Sequence, residues 1–332
     1  MKITQLDQPD YTVDADVLEP YSAERCVFGR HRYDETASFF GRSMHPVALS
    51  RARDKEAGFG QVGAAMSSAS WTAAEHFRGA YGLERLGEAG RMLVDMGRYE
   101  VTDRAEMGAQ VKEAARLYGA GKTGICELDR RWVYSANRAG GAVYVPETLT
   151  YAIVMAMPMD PSAIGETPAY GASVATGAGY SRMAVAASSV AQFIRNLGYE
   201  AMAMGNDTAL SIPLAVNAGL GEMGRNGMLI TPEYGSCTRL CKVFTDLPLA
   251  PDRPISMGVQ DVCRTCKRCA EACEVGAISK ATEPSFDAAC LSTMRGVRKW
   301  AVDSDSCYTF WMDNGVDCST CIAVCPFTPE EG

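Results

Sequence analysis

Apolar residues recur along this chain with two periods. Over residues 182–197, Met183, Ala187, Val190, Ala191, Ile194 and Leu197 fall at helical intervals on one face, with Gly198 placed as a C-terminal glycine. A helix is also predicted over 103–117, where Asp103 and Glu106 are spaced as a capping box and Gly119 and Gly121 end the run. Residues 64–90 read as an alanine-rich helix. Apolar runs at 124–128 and 148–157 predict buried strands, the second closed by Pro158 and Pro161. Shorter strand pieces are expected at 199–204, 228–230 and 241–245. Strands alternating with helices predict an α/β (α+β) architecture, either a sandwich or a doubly wound sheet. Residues 1–60 are polar and irregular, broken by Pro9, Pro20 and Pro46, and 214–227 is glycine-rich and turn-like. The proline-rich stretch 247–254 marks a domain boundary.

Composition narrows the class. At 332 residues the chain can bury a sizeable core and hold two structural units. A net charge of −8 argues against a nucleic-acid partner, because phosphate binding needs a basic field. No apolar run approaches a membrane span, so no integral membrane segment is expected. The start Met1-Lys2-Ile3-Thr4-Gln5 is neither a signal peptide nor a twin-arginine leader. The expectation is a cytoplasmic, reducing-compartment protein, with a leader removed before residue 1, and hence export, left open. His31, His45 and His76 are not spaced as a metal site and read as surface or satisfied core residues.

Cysteine usage changes the picture most. Cys263, Cys266, Cys269 and Cys273 follow C-x2-C-x2-C-x3-C, the spacing of a bacterial two-cluster ferredoxin. Cys307, Cys318, Cys321 and Cys325-Pro326 repeat it with the first ligand moved upstream, C-x10-C-x2-C-x3-C-P. In such runs three thiolates face one cube and the fourth ligates its neighbour. Cys263, Cys266, Cys269 and Cys325 are therefore assigned to one [4Fe-4S] cluster, and Cys273, Cys307, Cys318 and Cys321 to the other. Zinc sites favour separated pairs instead. Glu274 stands where the first run usually has proline, which touches the turn and not the ligand count. The other five cysteines, Cys26, Cys126, Cys237, Cys241 and Cys290, are scattered and read as buried free thiols. Two adjacent clusters make an electron wire, and the long chain before it should hold the terminus.

Gly219-Leu220-Gly221-Glu222-Met223-Gly224 fits G-x-G-x-x-G but lacks the preceding strand and following helix of a nucleotide site. It reads better as a glycine loop pressed close to another flat cofactor.

With these residues in view, the chain resembles the reductive dehalogenases. The resemblance lies in Thr176-Gly177-Ala178-Gly179-Tyr180-Ser181-Arg182-Met183, in Leu197-Gly198-Tyr199 with Gly205-Asn206-Asp207, and in Gly219 to Met223. It continues through Leu229-Ile230-Thr231-Pro232-Glu233-Tyr234-Gly235, Thr238-Arg239-Leu240-Cys241-Lys242-Val243-Phe244 and both cysteine runs, over about residues 120–327. It implies an N-terminal region, 1–120, capping a substrate pocket; a nitroreductase-like corrinoid-binding domain, 121–250; and a two-[4Fe-4S] ferredoxin-like domain, 251–332. It also implies a base-off cobalamin, reduced through the clusters, that removes halogen from a small organohalide. No D-x-H-x-x-G motif offers a lower histidine ligand. By the family's pattern Tyr180 is the proton donor, Arg239 the cation that stabilises its phenolate, and Asn206 a polar neighbour. An ordinary phenol titrates near about 10 and so holds its proton at neutral pH. Thr176, Gly219, Gly221 and Gly224 are the expected corrinoid contacts, and Trp71, Trp132 and Tyr134 are bulky residues expected to line the pocket.

The chain stops at Gly332 without an appended flavin module, so an external low-potential donor, ferredoxin or flavodoxin, is expected. Oligomeric state, a homodimer included, is left open. Three other readings stand beside this one: an epoxyqueuosine reductase acting on tRNA, a non-catalytic ferredoxin-like electron carrier, and a corrinoid-processing protein. The acidic charge disfavours the tRNA enzyme.

Overall fold

The apolar run that ends at Pro158 forms the strand around which the central unit is assembled. In the computed structural model, which describes residues 2–76 and 97–329, the strands are β1 Thr4–Gln5, β2 Lys122–Glu127, β3 Tyr151–Pro158, β4 Ala201–Met204, β5 Glu222–Met223, β6 Leu229–Ile230, β7 Thr238–Thr245 and β8 Ile255–Ser256. The main sheet has the order β2-β3-β7-β4, and each ladder in it is antiparallel. Strand β3 lies at its centre, with Tyr151 opposite Thr245 and Pro158 opposite Thr238.

The sandwich expectation holds, but the doubly wound alternative does not. β3 and β4 run the same way, joined through the helix Tyr170–Asn196 as a βαβ unit would be. β7 is inserted between them, so each hydrogen-bonded neighbour is antiparallel. Alternate side chains of β3 feed two cores. Ile153, Met155 and Met157 meet Met183, Ala187, Val190 and Ile194 of the long helix on one face. Ala152, Val154 and Ala156 meet Phe244, Leu214 and Val216 on the other. Each fully buried Ile or Met contributes roughly 1.5–3 kcal/mol, and the two-sided burial explains why β3 reads as a continuous apolar run.

Helix Arg104–Leu117 is capped as its sequence predicts, with Asp103 Oδ1 accepting from the amides of Ala105 (2.8 Å) and Glu106 (3.1 Å). The long helix starts at Tyr170, well before the predicted 182, because Gly177 and Gly179 interrupt the apolar period without breaking the backbone. Pro46 and Pro213 lie in the first turns of helices His45–Arg53 and Ser211–Asn217. Their missing N–H costs nothing there, so both segments are helical where irregular chain is expected. Of the predicted helix 64–90, residues Gln61–Ser70 and Thr72–His76 are helical; 77–90 lie outside the described residues.

The stretch 247–254 is firmly docked. Leu247 and Leu249 are buried, and the Asp252 carboxylate accepts from the Ile125 amide (2.8 Å) and pairs with Lys112 (2.5 Å). Beyond it, short helices Val259–Thr265, Arg268–Glu271, Ser304–Asn314 and Thr320–Ala323 carry the cysteines or flank them. The N-terminal region ties itself to both halves. β1 pairs with β8, Tyr11 donates to Asn217 Oδ1 (2.8 Å), and buried Arg30 bridges Asp34 (2.7 Å) and Asp305 (2.5 Å). Among the described residues no helix is long and apolar enough to cross a membrane.

Candidate active site and cluster ligands

The structure brings Tyr180, Asn206, Arg239 and Thr176 together from three elements. Tyr180 and Thr176 sit one turn apart on the long helix, Arg239 on β7, and Asn206 on the loop after β4. Asn206 Nδ2 donates to Tyr180 Oη at 2.9 Å. The Arg239 guanidinium lies 5.5 Å from the Tyr180 ring centroid and donates through Nη2 to Thr176 Oγ1 at 3.1 Å. Arg239 Nε is buried without an acceptor among the described residues. Gly179 makes room for this: a Cβ there would stand 3.0 Å from Arg239 Cγ.

Two further residues complete the site: Trp71, expected from the sequence as a pocket residue, and Lys242, which sequence reasoning did not single out. Trp71 stacks on Tyr180, centroids 4.9 Å apart at 25°. The contact needs Gly177, since any Cβ there would overlap Ser70 and Trp71. Lys242, wholly buried on β7, donates to Gly205 O (2.7 Å), Asp207 O (3.0 Å) and Ser211 Oγ (3.1 Å), and so holds the loop that presents Asn206. Burial pulls its ammonium down to about 8, with Asp207 acting the other way. A lysine at an inward-facing position of a buried strand was the sequence clue. Of the other expected pocket residues, Trp132 is packed in the core against Tyr11 (5.6 Å). Tyr134 is held by its amide to Thr208 O (2.8 Å), next to the Asn206 loop.

The cysteines gather in two groups. Cys263, Cys266, Cys269 and Cys325 line one cavity with Gly224, Arg225, Ile230 and Phe327. Cys273, Cys307, Cys318 and Cys321 form the second group, close enough that Cys307 feels the charge of Cys318 and Cys273, and Cys321 that of Cys307, Cys318 and Cys273. Burial first, then neighbouring thiols, pushes Cys269 and Cys307 up to about 12 and Cys321 upward. Thiolates crowded in this way need a positive centre to stay ionised. Among the described residues no three ligand-type side chains close around a single ion. A zinc ion draws thiolates to about 2.3 Å, whereas a cube holds them at its separated corners; the two quartets are the residues that would hold such groups. Peptide N–H groups already point at the sulfurs: Arg225 N at 3.4 Å from Cys263 Sγ and Ala277 N at 3.3 Å from Cys273 Sγ.

The glycine loop is used differently from the expectation of a flat cofactor. A Cβ on Gly219 would meet Arg253 O, and one on Gly221 would meet Ile230 O. Their bare α-carbons permit close approach of this chain's own backbone. Gly224 instead lines the first cysteine cavity. Of the scattered cysteines, burial raises Cys126 and Cys241 to about 12 and Cys237 to about 11.

Comparison with known proteins agrees with this layout. A family model described as a reductive dehalogenase subunit matches residues 125–249, and one described as a 4Fe-4S dicluster domain matches 262–328. The tetrachloroethene reductive dehalogenase of Desulfitobacterium hafniense is 38% identical over 275 residues, covering 70% of this chain and 50% of that protein. That of Sulfurospirillum multivorans is 34% identical over 259 residues, covering 69% and 52%. The chain thus spans about half the length of these relatives. The solved catabolic reductive dehalogenase NpRdhA, in complex with 3-bromo-4-hydroxybenzoic acid, shares the fold, with a TM-score of 0.73 at 22% identity over 99% of this chain and 44% of that one. Residues 125–249 thus match the reductive dehalogenase family and lead directly into a 4Fe-4S dicluster domain, and the chain is similar to reductive dehalogenases over about 70% of its length.

Proposed function

We propose that this chain reduces a small organohalide. In the net reaction a carbon–halogen bond breaks, two electrons and a proton enter, and the hydrogen-substituted product and a halide ion leave. The observation that carries the reading is the hydrogen bond from Asn206 to Tyr180 Oη, with Arg239 beside the ring. The phenol oxygen accepts, so its own proton is free to be donated; the Arg239 charge stabilises the phenolate that remains. The unclaimed Arg239 Nε offers a second donor to an anionic group in the same place. Asn206 orients the phenol, and Trp71 shields its ring from water.

A base-off corrinoid, when bound, would supply the reduced cobalt that delivers electrons to the carbon–halogen bond. The described histidine side chains do not compete as lower ligands: His31 Nε2 lies 2.6 Å from Arg42 O, and His45 is exposed. Thr176, which accepts from Arg239, is the residue proposed to contact the corrinoid. Cys263, Cys266, Cys269 and Cys325 would hold one [4Fe-4S] cluster and Cys273, Cys307, Cys318 and Cys321 the other, with one-electron relay as their chemistry. An external ferredoxin or flavodoxin is the proposed donor. The net charge of −8 weighs against the tRNA substrate of an epoxyqueuosine reductase.

The test is Tyr180→Phe in protein reconstituted anaerobically with corrinoid, iron and sulfide. Halide release from aryl and alkenyl halides should fall about 10²–10⁴-fold, with cobalt and iron contents unchanged. Undiminished turnover would remove Tyr180 from the chemistry.

A further inference from the structure

The residue after Gly224 is an arginine in an unusual position. Arg225 is 1% exposed. Its guanidinium donates to Cys263 O (3.1 Å, and again through Nη2), Cys266 O (3.1 Å), Ser279 O (2.6 Å) and Ala281 O (2.8 Å). It also lies 4.7 Å from the centroid of the Trp300 ring. Its acceptors are all neutral, and among the described residues no carboxylate pairs with it. A buried cation with no counter-charge costs several kcal/mol in general, and carbonyl dipoles offset only part of that. The same residue lines the cavity of Cys263, Cys266, Cys269 and Cys325 and directs its amide at Cys263 Sγ, 3.4 Å away.

We propose that Arg225 is the fixed counter-charge of the cluster held by this quartet and that it raises the cluster's reduction potential. The proposal rests on the ligand reading above. A [4Fe-4S] core on four thiolates is net negative and gains one more negative charge when it takes up an electron. A cation locked beside it in a dry, weakly polarisable setting favours the reduced form. The G-x-G-x-x-G loop thereby acquires a purpose. It brings an arginine of the dehalogenase domain into the dicluster domain, while Asn226, next along, donates to Cys321 O at 3.2 Å beside the second quartet. The first cluster is held by a charge from outside its own domain; the second has a hydroxyl-rich setting of Thr167, Ser319 and Thr320.

The experiment is an anaerobic redox titration of the full chain, followed by electron paramagnetic resonance with dithionite as the one-electron reductant. Arg225→Gln and Arg225→Lys are compared with wild type after iron and sulfide have been quantified. At the wild-type midpoint, the ratio of reduced to oxidised first cluster should drop about tenfold in Arg225→Gln, a shift of about 59 mV for a one-electron couple. In Arg225→Lys it should drop by less than about threefold. A wild-type potential in fully loaded Arg225→Gln overturns the proposal, as does an equal shift in both variants. If Arg225→Gln does not retain iron, Arg225→Lys carries the test alone, since lysine keeps the charge but cannot span these carbonyls: full iron with a near-native potential supports the proposal, and iron loss overturns it. Cys269→Ser separates the two readings. If it keeps full iron and both signals, the quartet itself is wrong, whatever the arginine variants show.

Discussion

Asn206 Nδ2 stands 2.9 Å from Tyr180 Oη and can only donate to it. The bond sets the phenol's orientation without consuming its proton. Asn206→Ala should therefore lower kcat by about tenfold while KM changes little. Asn206 is exposed, so unfolding free energy should move by no more than about 0.5 kcal/mol. Steady-state halide release and a urea titration check both. A drop in stability with unchanged kcat would make Asn206 a turn residue only.

Lys242→Met should unpin the loop that carries Asn206. Losing donors to Gly205 O and Asp207 O leaves buried acceptors unpaired, at a cost of about 1–3 kcal/mol. The ammonium is held at about 8, below the ordinary 10.5, by burial. Between those values only the unfolded chain keeps the proton, so this residue's contribution to stability rises with pH across the window and is lost as pH falls through about 8. The difference between wild-type and variant unfolding curves from pH 7.5 to 10.5 should show that slope; parallel curves would refute it.

Asp10 faces the buried Glu222, and burial followed by that neighbour pushes its carboxyl up to about 7. Asp10 Oδ2 has no donor. The folded chain binds the extra proton, so this contribution to stability is full below the ordinary carboxylate range and disappears as pH rises through about 7. Asp10→Asn should be more stable than wild type at pH 8 and equal to it near pH 3, as read by thermal unfolding. The opposite order would mean the pair is charged and satisfied.

Gly235→Ala should cost iron. Gly235 has φ +53, and a Cβ there would fall on Phe327 O, two residues beyond Cys325. The clash pushes the C-terminal segment away from the first quartet. Iron per chain after reconstitution should fall by about one cluster, with the second signal retained. Full iron would show that the segment adapts.

Much of this was legible in the sequence because the relevant physics is local. Cysteine spacing pointed to the 4Fe-4S dicluster domain, Asp103 announced its helix, and the apolar run of 148–157 located the sheet's centre. Other features depend on contacts distant along the chain. The insertion of β7 between β3 and β4 reverses no local preference, so alternation alone could not show an antiparallel sheet. Lys242 and Arg225 each act on partners more than 30 residues away, and a lone Lys or Arg has no period to reveal it; Trp71 is expected near the pocket, but its stack on Tyr180 is not. The glycine loop misled for a related reason: tight turns look alike whether they face a cofactor or another stretch of backbone.

The helix Tyr170–Asn196 leaves the dicluster domain at one end. Thr167, just before it, accepts from Ser319 N at 2.9 Å, Pro168 O accepts from Asn314 Nδ2 at 2.8 Å, and Ala175 packs with Ile322. Tyr180 follows one turn later, about 6 Å along the axis from Thr176 at ~1.5 Å per residue. A single stiff rod therefore gauges the separation between the cysteine quartets and Tyr180, the proposed proton donor. Drift of the dicluster half would carry Tyr180 with it, so that under the proposed chemistry electron and proton supply would stay in step.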